Sequence, residues 1–153
     1  MGRVIWVKVD PWNKKLVTTA LEGGADAVMV QEGYEQEVKR LGLIPVISPR
    51  GDLKLGEDVI EWQIKDKEDE EEVVRLAKEK KVIVRTSDWT VIPFENLVAR
   101  TENVVAEVTS KEEARLLSGV LEKGVRHLLI NVTDLKEVKE ILAELKGKEE
   151  TVE

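Results

Sequence analysis

The stretch VIWVKVD, residues 4–10, decides between the fold classes open to this chain. Its side chains alternate in character, and a β-strand directs alternate side chains to opposite faces. One face carries Ile5, Val7 and Val9, and the other carries Trp6, Lys8 and Asp10. The first face suits a layer of helices, whereas the second needs a polar interior or a binding site. Because strands of an open parallel sheet are covered on both faces and are apolar throughout, the stretch favours a closed barrel with a polar mouth.

The rest of the chain repeats a unit of one strand followed by one helix. Seven short segments rich in Val and Ile are predicted as strands. They are Val4–Val9, Ala27–Gln31, Pro45–Ser48, Val59–Ile64, Lys81–Thr86, Val104–Val108 and His127–Val132. The alternation implies parallel strands with right-handed crossovers. The predicted fold is therefore α/β, a parallel (β/α) barrel-like domain of about seven strands, with an open doubly wound parallel sheet as the alternative; an eighth strand is not visible.

The predicted helices carry recognisable start signals. Ser110 and Glu113 form a capping box, in which each side chain accepts from a free backbone N–H, and Asp134 and Glu137 repeat the pattern. The acidic run at residues 66–72 precedes an apolar stripe and is followed by lysines. Acid at the start and base at the end of a helix is what the helix dipole favours, so this run is predicted to be a solvated helix face.

Length and composition indicate one domain. The 153 residues suffice for one full core, and we expect a single barrel-like domain over residues 1–147, with 148–153 a polar tail or the start of a further region. No apolar run approaches the roughly 20 residues that cross a bilayer, and the start does not resemble a signal peptide. The chain has no Cys, which excludes a disulfide scaffold and fits a cytoplasmic location. Abundant Lys and Glu are typical of proteins from thermophiles.

The charge balance narrows the partners. A net charge of −7 argues against binding to nucleic acid, which requires a surplus of Lys and Arg. Without Cys and with His127 as the only histidine, thiolate and multi-histidine metal sites are excluded, and no metal site is predicted. We expect a small-molecule substrate and no membrane or nucleic-acid partner. The sequence does not define an oligomeric state, and a homo-oligomer is one alternative.

The segment RTSDWTVIPFENLVA, residues 85–99, marks a candidate site. It follows a predicted strand, and loops at the carboxyl ends of parallel strands build the sites of such folds. Asp88, Trp89 and Thr90 are expected at this strand end, while Pro93 suits the first position of a short helix. The alternative is structural: Trp89 plugs the barrel mouth and Asp88 caps a turn.

This segment also resembles a known family. DWTVIPFENLVA (residues 88–99) is similar to the signature of the archaeal-type, or type II, 3-dehydroquinate synthases. The resemblance continues in PWNKKLVTTALEGGADAVMV and in VTSKEEARLLSGVLEKGVRHLLINVTDLKEVKEI, in the same order along the chain. It covers most of the chain and corresponds to the N-terminal region of family members, which continue with a strand-rich C-terminal region.

The resemblance implies an activity in aromatic amino acid biosynthesis. Family members convert 2-amino-3,7-dideoxy-D-threo-hept-6-ulosonate to 3-dehydroquinate, with NAD as oxidant and release of ammonia. The resemblance therefore implies an oxidoreductase that acts on a CH–NH₂ group. The alternatives are a truncated or non-catalytic homologue, and a barrel domain that binds a sugar phosphate or an amino sugar. No G-x-G-x-x-G fingerprint for the nicotinamide cofactor is visible, so its binding residues are not assigned.

The implied reaction asks for a cation for the substrate carboxylate, a general base and a donor to an enolate oxygen. Candidate residues of each kind lie at or near predicted strand ends. The candidate catalytic residues are Asp88, Lys8, Asp10 and Glu107, with Asp88 first because it combines a strand end with the signature segment. The candidate substrate-binding residues are Arg85, Trp89, Thr90, Lys65 and Asn131.

Overall fold

A computed structural model of the chain describes residues 4–87, 89, 94–121 and 127–150. Within these ranges the chain forms eight strands and six helices. The strands are β1 (Val4–Val9), β2 (Ala27–Val30), β3 (Val46–Ser48), β4 (Leu53–Lys54), β5 (Val59–Gln63), β6 (Lys81–Arg85), β7 (Val104–Val108) and β8 (His127–Ile130). The helices are α1 (Lys14–Glu22), α2 (Glu35–Leu41), α3 (Lys67–Leu76), α4 (Phe94–Val98), α5 (Lys111–Leu121) and α6 (Leu135–Glu150).

The strands form one parallel sheet that is almost closed on itself. Their order is β4-β3-β2-β1-β8-β7-β6-β5, so that β1 pairs with both β2 and β8. The two edge strands meet through a single parallel bridge between Leu55 and Val59. The ring therefore runs in chain order around a barrel, which confirms the predicted fold class and excludes the open doubly wound sheet.

The structure adds one strand to the seven predicted from the sequence. β4 has only two residues, Leu53 and Lys54, and it pairs with β3 through Ile47 and Ser48. No helix separates β3 from β4, and none separates β4 from β5. A two-residue strand is too short to show a period of two, so the pattern of the sequence does not reveal it.

Two apolar clusters fill the molecule, one on each face of the sheet. The outer cluster contains Ile5, Val7 and Val9 of β1 together with inward-facing residues of the helices. The inner cluster comes from the strands only, with Trp6, Ala27, Met29, Ile47, Val59, Ile83, Val105 and Leu129 as its buried members. Since no helix contributes to it, this second cluster is the barrel interior, and β1 divides its side chains as its alternation predicts.

The capping residues predicted for α5 and α6 are present, but one of them, Glu137, binds a different backbone N–H from the one predicted. The Ser110 hydroxyl accepts from the Glu113 N–H at 3.1 Å, and the Glu113 carboxylate accepts from the Thr109 N–H at 2.7 Å. Asp134 caps α6 by accepting from the Glu137 N–H at 3.0 Å. The sequence predicted that the Glu137 carboxylate would complete a capping box on its own helix, and this prediction was wrong. The carboxylate accepts instead from the Lys111 N–H of the neighbouring α5 at 2.8 Å, because the two helix starts lie side by side.

Among the helices that the structure describes, none has the length and apolar character needed to cross a membrane. The predicted division at residue 147 falls within α6, which runs to Glu150. The division into domains stays a prediction.

Candidate active site at the carboxyl ends of the strands

The barrel interior changes from apolar to charged toward the carboxyl ends of the strands. Each of the residues concerned follows an apolar interior residue of a strand by two positions along the chain, Asn131 directly after the end of β8, and alternate residues of a strand point to the same side. Lys8 follows Trp6, Glu61 follows Val59, Arg85 follows Ile83, Glu107 follows Val105 and Asn131 follows Leu129. The period of two that packs the apolar layer therefore builds the polar layer directly above it.

These five side chains form one connected network. The Arg85 guanidinium pairs with Glu61 and donates from Nε to Glu107 Oε1 at 2.9 Å. Asn131 Nδ2 donates to the other oxygen of Glu107 at 3.1 Å. Lys8 Nζ lies 3.8 Å from Glu61 Oε2. The structure thus brings together Lys8, Arg85, Glu107 and Asn131, four of the residues singled out from the sequence.

The members of the network differ in their exposure to solvent. The side chain of Glu107 is 5% exposed, whereas that of Arg85 is 37% exposed. Burial alone lowers the pKa of the Arg85 guanidinium, but the hydrogen bond and charge of Glu107, together with Glu61, outweigh burial and raise the pKa above its ordinary value. Arg85 is therefore a permanent cation held between two carboxylates.

A cavity of about 300 Å³ opens beside this network. Its lining combines charged side chains with an apolar wall of Met29, Val30, Pro49 and Leu55. The charged and polar members are Lys8, Asp10, Gln31, Glu32 and Glu61. Lys8 and Asp10 thus share one cavity, as their places at the end of the first strand predict, and its volume lies at the lower end of the range for small-molecule sites.

Glu61 is the site residue that the sequence-based selection missed. Its carboxylate forms ion pairs with both Lys8 and Arg85, and it lines the cavity. The signal was present, because Glu61 and Gln63 flank Trp62 in an alternating pattern that places polar side chains on one face of β5.

The signature segment is described only in part. Asp88 and Thr90 lie outside the described residues, so their assigned roles stay predictions. Trp89 is 4% exposed and belongs to the outer apolar cluster, and its indole Nε1 donates to the backbone oxygen of Glu107 at 3.3 Å. This contact ties the segment to the end of β7. It suits the structural alternative for Trp89, while substrate binding by this residue stays a prediction.

Lys65 lies apart from the cavity. It is exposed, and its backbone N–H donates to Asp69 Oδ2 at 2.8 Å at the start of α3. The lysine does not line the cavity beside Lys8. Its contact with a substrate therefore stays a prediction that the described contacts do not support.

A dinucleotide requires free N–H groups or basic side chains for its pyrophosphate. The starts of α5 and α6 lie at the carboxyl ends of β7 and β8, but the side chains of Ser110, Glu137 and Asp134 accept from N–H groups there. The cavity is lined by three carboxylates and one lysine. The cavity beside Lys8 therefore does not fit the pyrophosphate of NAD.

Within the described ranges, no group of three or more His, Asp or Glu side chains is arranged to hold a metal ion. The prediction that no metal binds concerns the whole chain and stays a prediction.

Fold and site together define a class: a (β/α) barrel domain with a charged cluster and a cavity at the carboxyl ends of its strands, where barrel enzymes carry their sites. The backbone is similar to a monomeric form of phosphoribosylanthranilate isomerase from Thermotoga maritima. The TM-score is 0.69 over 96% of this chain and 100% of the other, with 11% sequence identity. At that identity the likeness concerns the fold alone.

The chain belongs to the family described as "3-dehydroquinate synthase II N-terminal domain", which residues 2–145 match. It is 49% identical over 137 residues to a "3-dehydroquinate synthase homolog" of Aquifex aeolicus, which covers 89% of this chain and 41% of that protein. It is 50% identical over 142 residues to a "3-dehydroquinate synthase" of Methanoregula boonei, which covers 93% of this chain and 43% of that protein. The chain thus spans about two fifths of the length of these relatives.

Proposed function

We propose that this chain is the barrel domain of a type II 3-dehydroquinate synthase and that its mouth binds 2-amino-3,7-dideoxy-D-threo-hept-6-ulosonate. In the proposed reaction the amino sugar acid is oxidatively deaminated and cyclised to 3-dehydroquinate, a step of aromatic amino acid biosynthesis in the shikimate pathway. The observation that carries the proposal is the charged network of Lys8, Glu61, Arg85 and Glu107 beside a cavity of about 300 Å³.

Energetics supports a functional interpretation of this network. Charges taken out of water cost several kcal/mol each, and well-packed apolar residues of similar volume are often as stable or more stable at such positions. The interior layer directly below is apolar, with Trp6, Ile83 and Leu129 buried. The charged layer at the mouth is therefore poorly explained by stability and well explained by a polar substrate.

The site residues fall into two groups, those that are hydrogen-bonded to one another and those that line the cavity. Arg85, Glu107 and Asn131 are held by one another, which suits positioning of the site. Lys8 and Asp10 line the cavity. We assign Lys8 to contact with the substrate and Asp10 to proton transfer, with Asp88 as a second acid or base from the signature segment.

NAD enters the proposal through the family and supplies the hydride acceptor for oxidation at the carbon that bears the amine. Since the cavity beside Lys8 does not fit its pyrophosphate, we propose that its phosphate contacts come from residues outside that cavity. The relatives are more than twice as long as this chain, which leaves room for such residues in the whole protein. The expected cytoplasmic location and a homo-oligomer likewise stay predictions.

An absorbance assay for NADH tests the proposal. The purified chain is incubated with the amino sugar acid and NAD, alone and together with the remaining part of the Methanoregula boonei relative. We expect NADH and 3-dehydroquinate in the second mixture or in both. Binding of the amino sugar acid by calorimetry without any NADH would support a binding domain instead, and neither binding nor turnover would refute the proposal.

The variant Asp88→Asn tests the signature segment in the same assay. We expect turnover to fall at least about 100-fold, because a general acid or base contributes on the order of 10²–10⁴ to rate. The far-UV circular dichroism spectrum should be unchanged. A variant that retains a near-normal rate would assign Asp88 to a structural role.

A further inference from the structure

We propose that Lys8 acts as a covalent amine catalyst, whose Nζ forms an imine with the methyl ketone of the substrate and thereby activates its methyl carbon for ring closure. This inference rests on the proposed function and assigns a chemical mode to one residue of the same site.

Lys8 and Arg85, the two cations of the charged network, differ in how closely they are held by carboxylates. The Arg85 guanidinium is held by Glu61 and Glu107, and its raised pKa keeps it charged. Among the described residues, Lys8 Nζ has one ionic partner, Glu61, at 3.8 Å, which is longer than a hydrogen bond. The amine of Lys8 is therefore the less engaged of the two cationic groups.

The surroundings of Lys8 also suit covalent chemistry. Its side chain is 16% exposed, and it projects from the end of β1 into a cavity that is walled in part by Met29, Pro49 and Leu55. A lysine on a strand has a fixed starting point, while its four-carbon stem allows Nζ to reach a carbonyl carbon. Lysines in partly apolar pockets are established nucleophiles toward carbonyl substrates.

Asp10, the residue directly after the end of β1, places a carboxylate in the same cavity as Lys8. Imine chemistry needs a group that carries protons to and from the carbonyl oxygen and the adjacent carbon. The pair thus provides an amine and a proton carrier at one edge of one cavity.

The step balances without an oxidant. Unprotonated Lys8 Nζ bonds to the ketone carbon, the carbonyl oxygen takes a proton, and loss of water leaves a protonated imine. Asp10 removes a proton from the adjacent methyl group to give an enamine, whose carbon bonds to the ketone carbon at the other end of the substrate as that carbonyl oxygen takes a proton. Water then adds to the imine, and the Lys8 amine is released with a new ketone in the ring.

Reductive trapping tests this inference independently of NAD and of turnover. The chain is incubated with 4-oxopentanoate, a methyl ketone that carries a carboxylate, in the presence of cyanoborohydride, and labelled lysines are located by peptide mass spectrometry. We expect Lys8 to be labelled at least about tenfold faster than Lys54, an exposed lysine of β4. Labelling of Lys8 no faster than Lys54 would overturn the inference.

Two variants complete the test. Lys8→Arg keeps the positive charge but removes the nucleophilic amine, so we expect the fast label and the ring closure to be lost while the circular dichroism spectrum is kept. Lys54→Arg is the matched control and should retain the fast label. Full 3-dehydroquinate formation by Lys8→Arg would overturn the covalent role and leave the proposed function standing. Fast labelling of Lys8 in a chain that forms no 3-dehydroquinate with any partner would support a nucleophilic Lys8 and overturn the proposed function.

Discussion

The Glu107 side chain points into the barrel interior from β7, one layer above the apolar side chains of Val105 and Leu129. Its carboxylate is satisfied by Arg85 Nε and Asn131 Nδ2, and its backbone oxygen accepts from Trp89. One residue therefore connects β6, β7, the end of β8 and the signature segment. A buried carboxylate with these partners defines the geometry of the mouth more than it stabilises the fold.

Replacement of Glu107 by Gln tests whether the charged network of the mouth is energetically coupled. Removal of one partner from a fully buried ion pair costs about 3–5 kcal/mol, and we expect about 2 kcal/mol here because Arg85 is partly exposed and Gln keeps a hydrogen-bonding oxygen. The free energy of unfolding from urea titration measures the loss. Glu57→Gln is the control: its exposed pair with Lys54 should contribute less than about 1 kcal/mol. Equal effects of the two substitutions would show that the mouth network is not energetically coupled.

Glu35 links stability to pH. The Ser48 hydroxyl donates to its carboxylate at 2.6 Å and the Gly33 N–H donates at 2.9 Å, and these hydrogen bonds lower the pKa of Glu35. A lowered pKa in the folded state means that the unfolded chain binds a proton first as pH falls. The contribution of Glu35 is therefore complete above the ordinary carboxyl range of about 4 and is lost as pH drops through the folded pKa.

We expect the urea midpoint of the wild-type chain to fall between pH 5 and pH 3, and the fall to be smaller in Glu35→Gln. Ser48→Ala should also reduce it, because Ser48 supplies the largest part of the lowered pKa. Midpoints at pH 7, 5, 4 and 3 provide the measurement. If the urea midpoints of both variants fall with pH as steeply as that of the wild type, the Glu35 carboxylate does not contribute to the acid sensitivity.

At the scale of elements, α5 and α6 begin as a pair. Asp134 caps α6, while the Glu137 carboxylate crosses to the Lys111 N–H at the start of α5. A free N–H of one helix is thus satisfied by a side chain of the next, and a carboxylate in this position also complements the positive ends of both helix dipoles. The exchange couples the two helices that follow β7 and β8.

Glu137→Ala should destabilise the chain by about 1 kcal/mol, the typical cost of a lost cap. Glu140→Ala is the matched control on the same helix, since the contact of Glu140 among the described residues is a surface pair with Lys111 Nζ at 3.5 Å. We expect that substitution to cost less than about 0.5 kcal/mol. Urea titration compares the two variants, and a larger effect for Glu140 would contradict the capping role.

At the scale of the whole molecule, the ring of strands closes at its weakest point. β4 is two residues long and meets β5 through the single bridge between Leu55 and Val59, while the other neighbouring strands share longer registers. The inner cluster spans this seam, because Val59 is buried in it and Leu53 and Leu55 pack against it. Closure therefore depends on apolar packing inside the barrel more than on backbone hydrogen bonds across the seam.

A shared inner core predicts cooperative unfolding. The test uses a variant in which Trp12, Trp62 and Trp89 are replaced by Phe, so that Trp6 inside the barrel is its one tryptophan. We expect its tryptophan fluorescence and its far-UV circular dichroism, which reports on all helices, to give one coincident transition in urea. A fluorescence transition that precedes the loss of helical signal would show instead that the inner core opens separately from the outer layer.

Several parts of this molecule follow directly from local patterns. The alternation in residues 4–10 predicted a barrel with a polar mouth, and it placed Lys8 on the side of Trp6, away from Ile5 and Val7. Capping residues predicted the starts of α5 and α6. These features depend on neighbours within a few residues, and a strand or a helix turn converts such spacing into direction without any help from the rest of the fold.

Other parts required the closed ring. The sequence did not predict β4, because two residues are too few to show a period of two. It did not predict the cavity or the exchange of Glu137 between helices either, because these depend on residues that are distant in sequence and adjacent only after closure. The same holds for Glu61, whose pairing with Lys8 spans the barrel interior from β5 to β1. By itself the sequence determined the faces of the strands and the family, while the tertiary structure decided which charges meet, since distances across a barrel are set by packing and not by spacing along the chain.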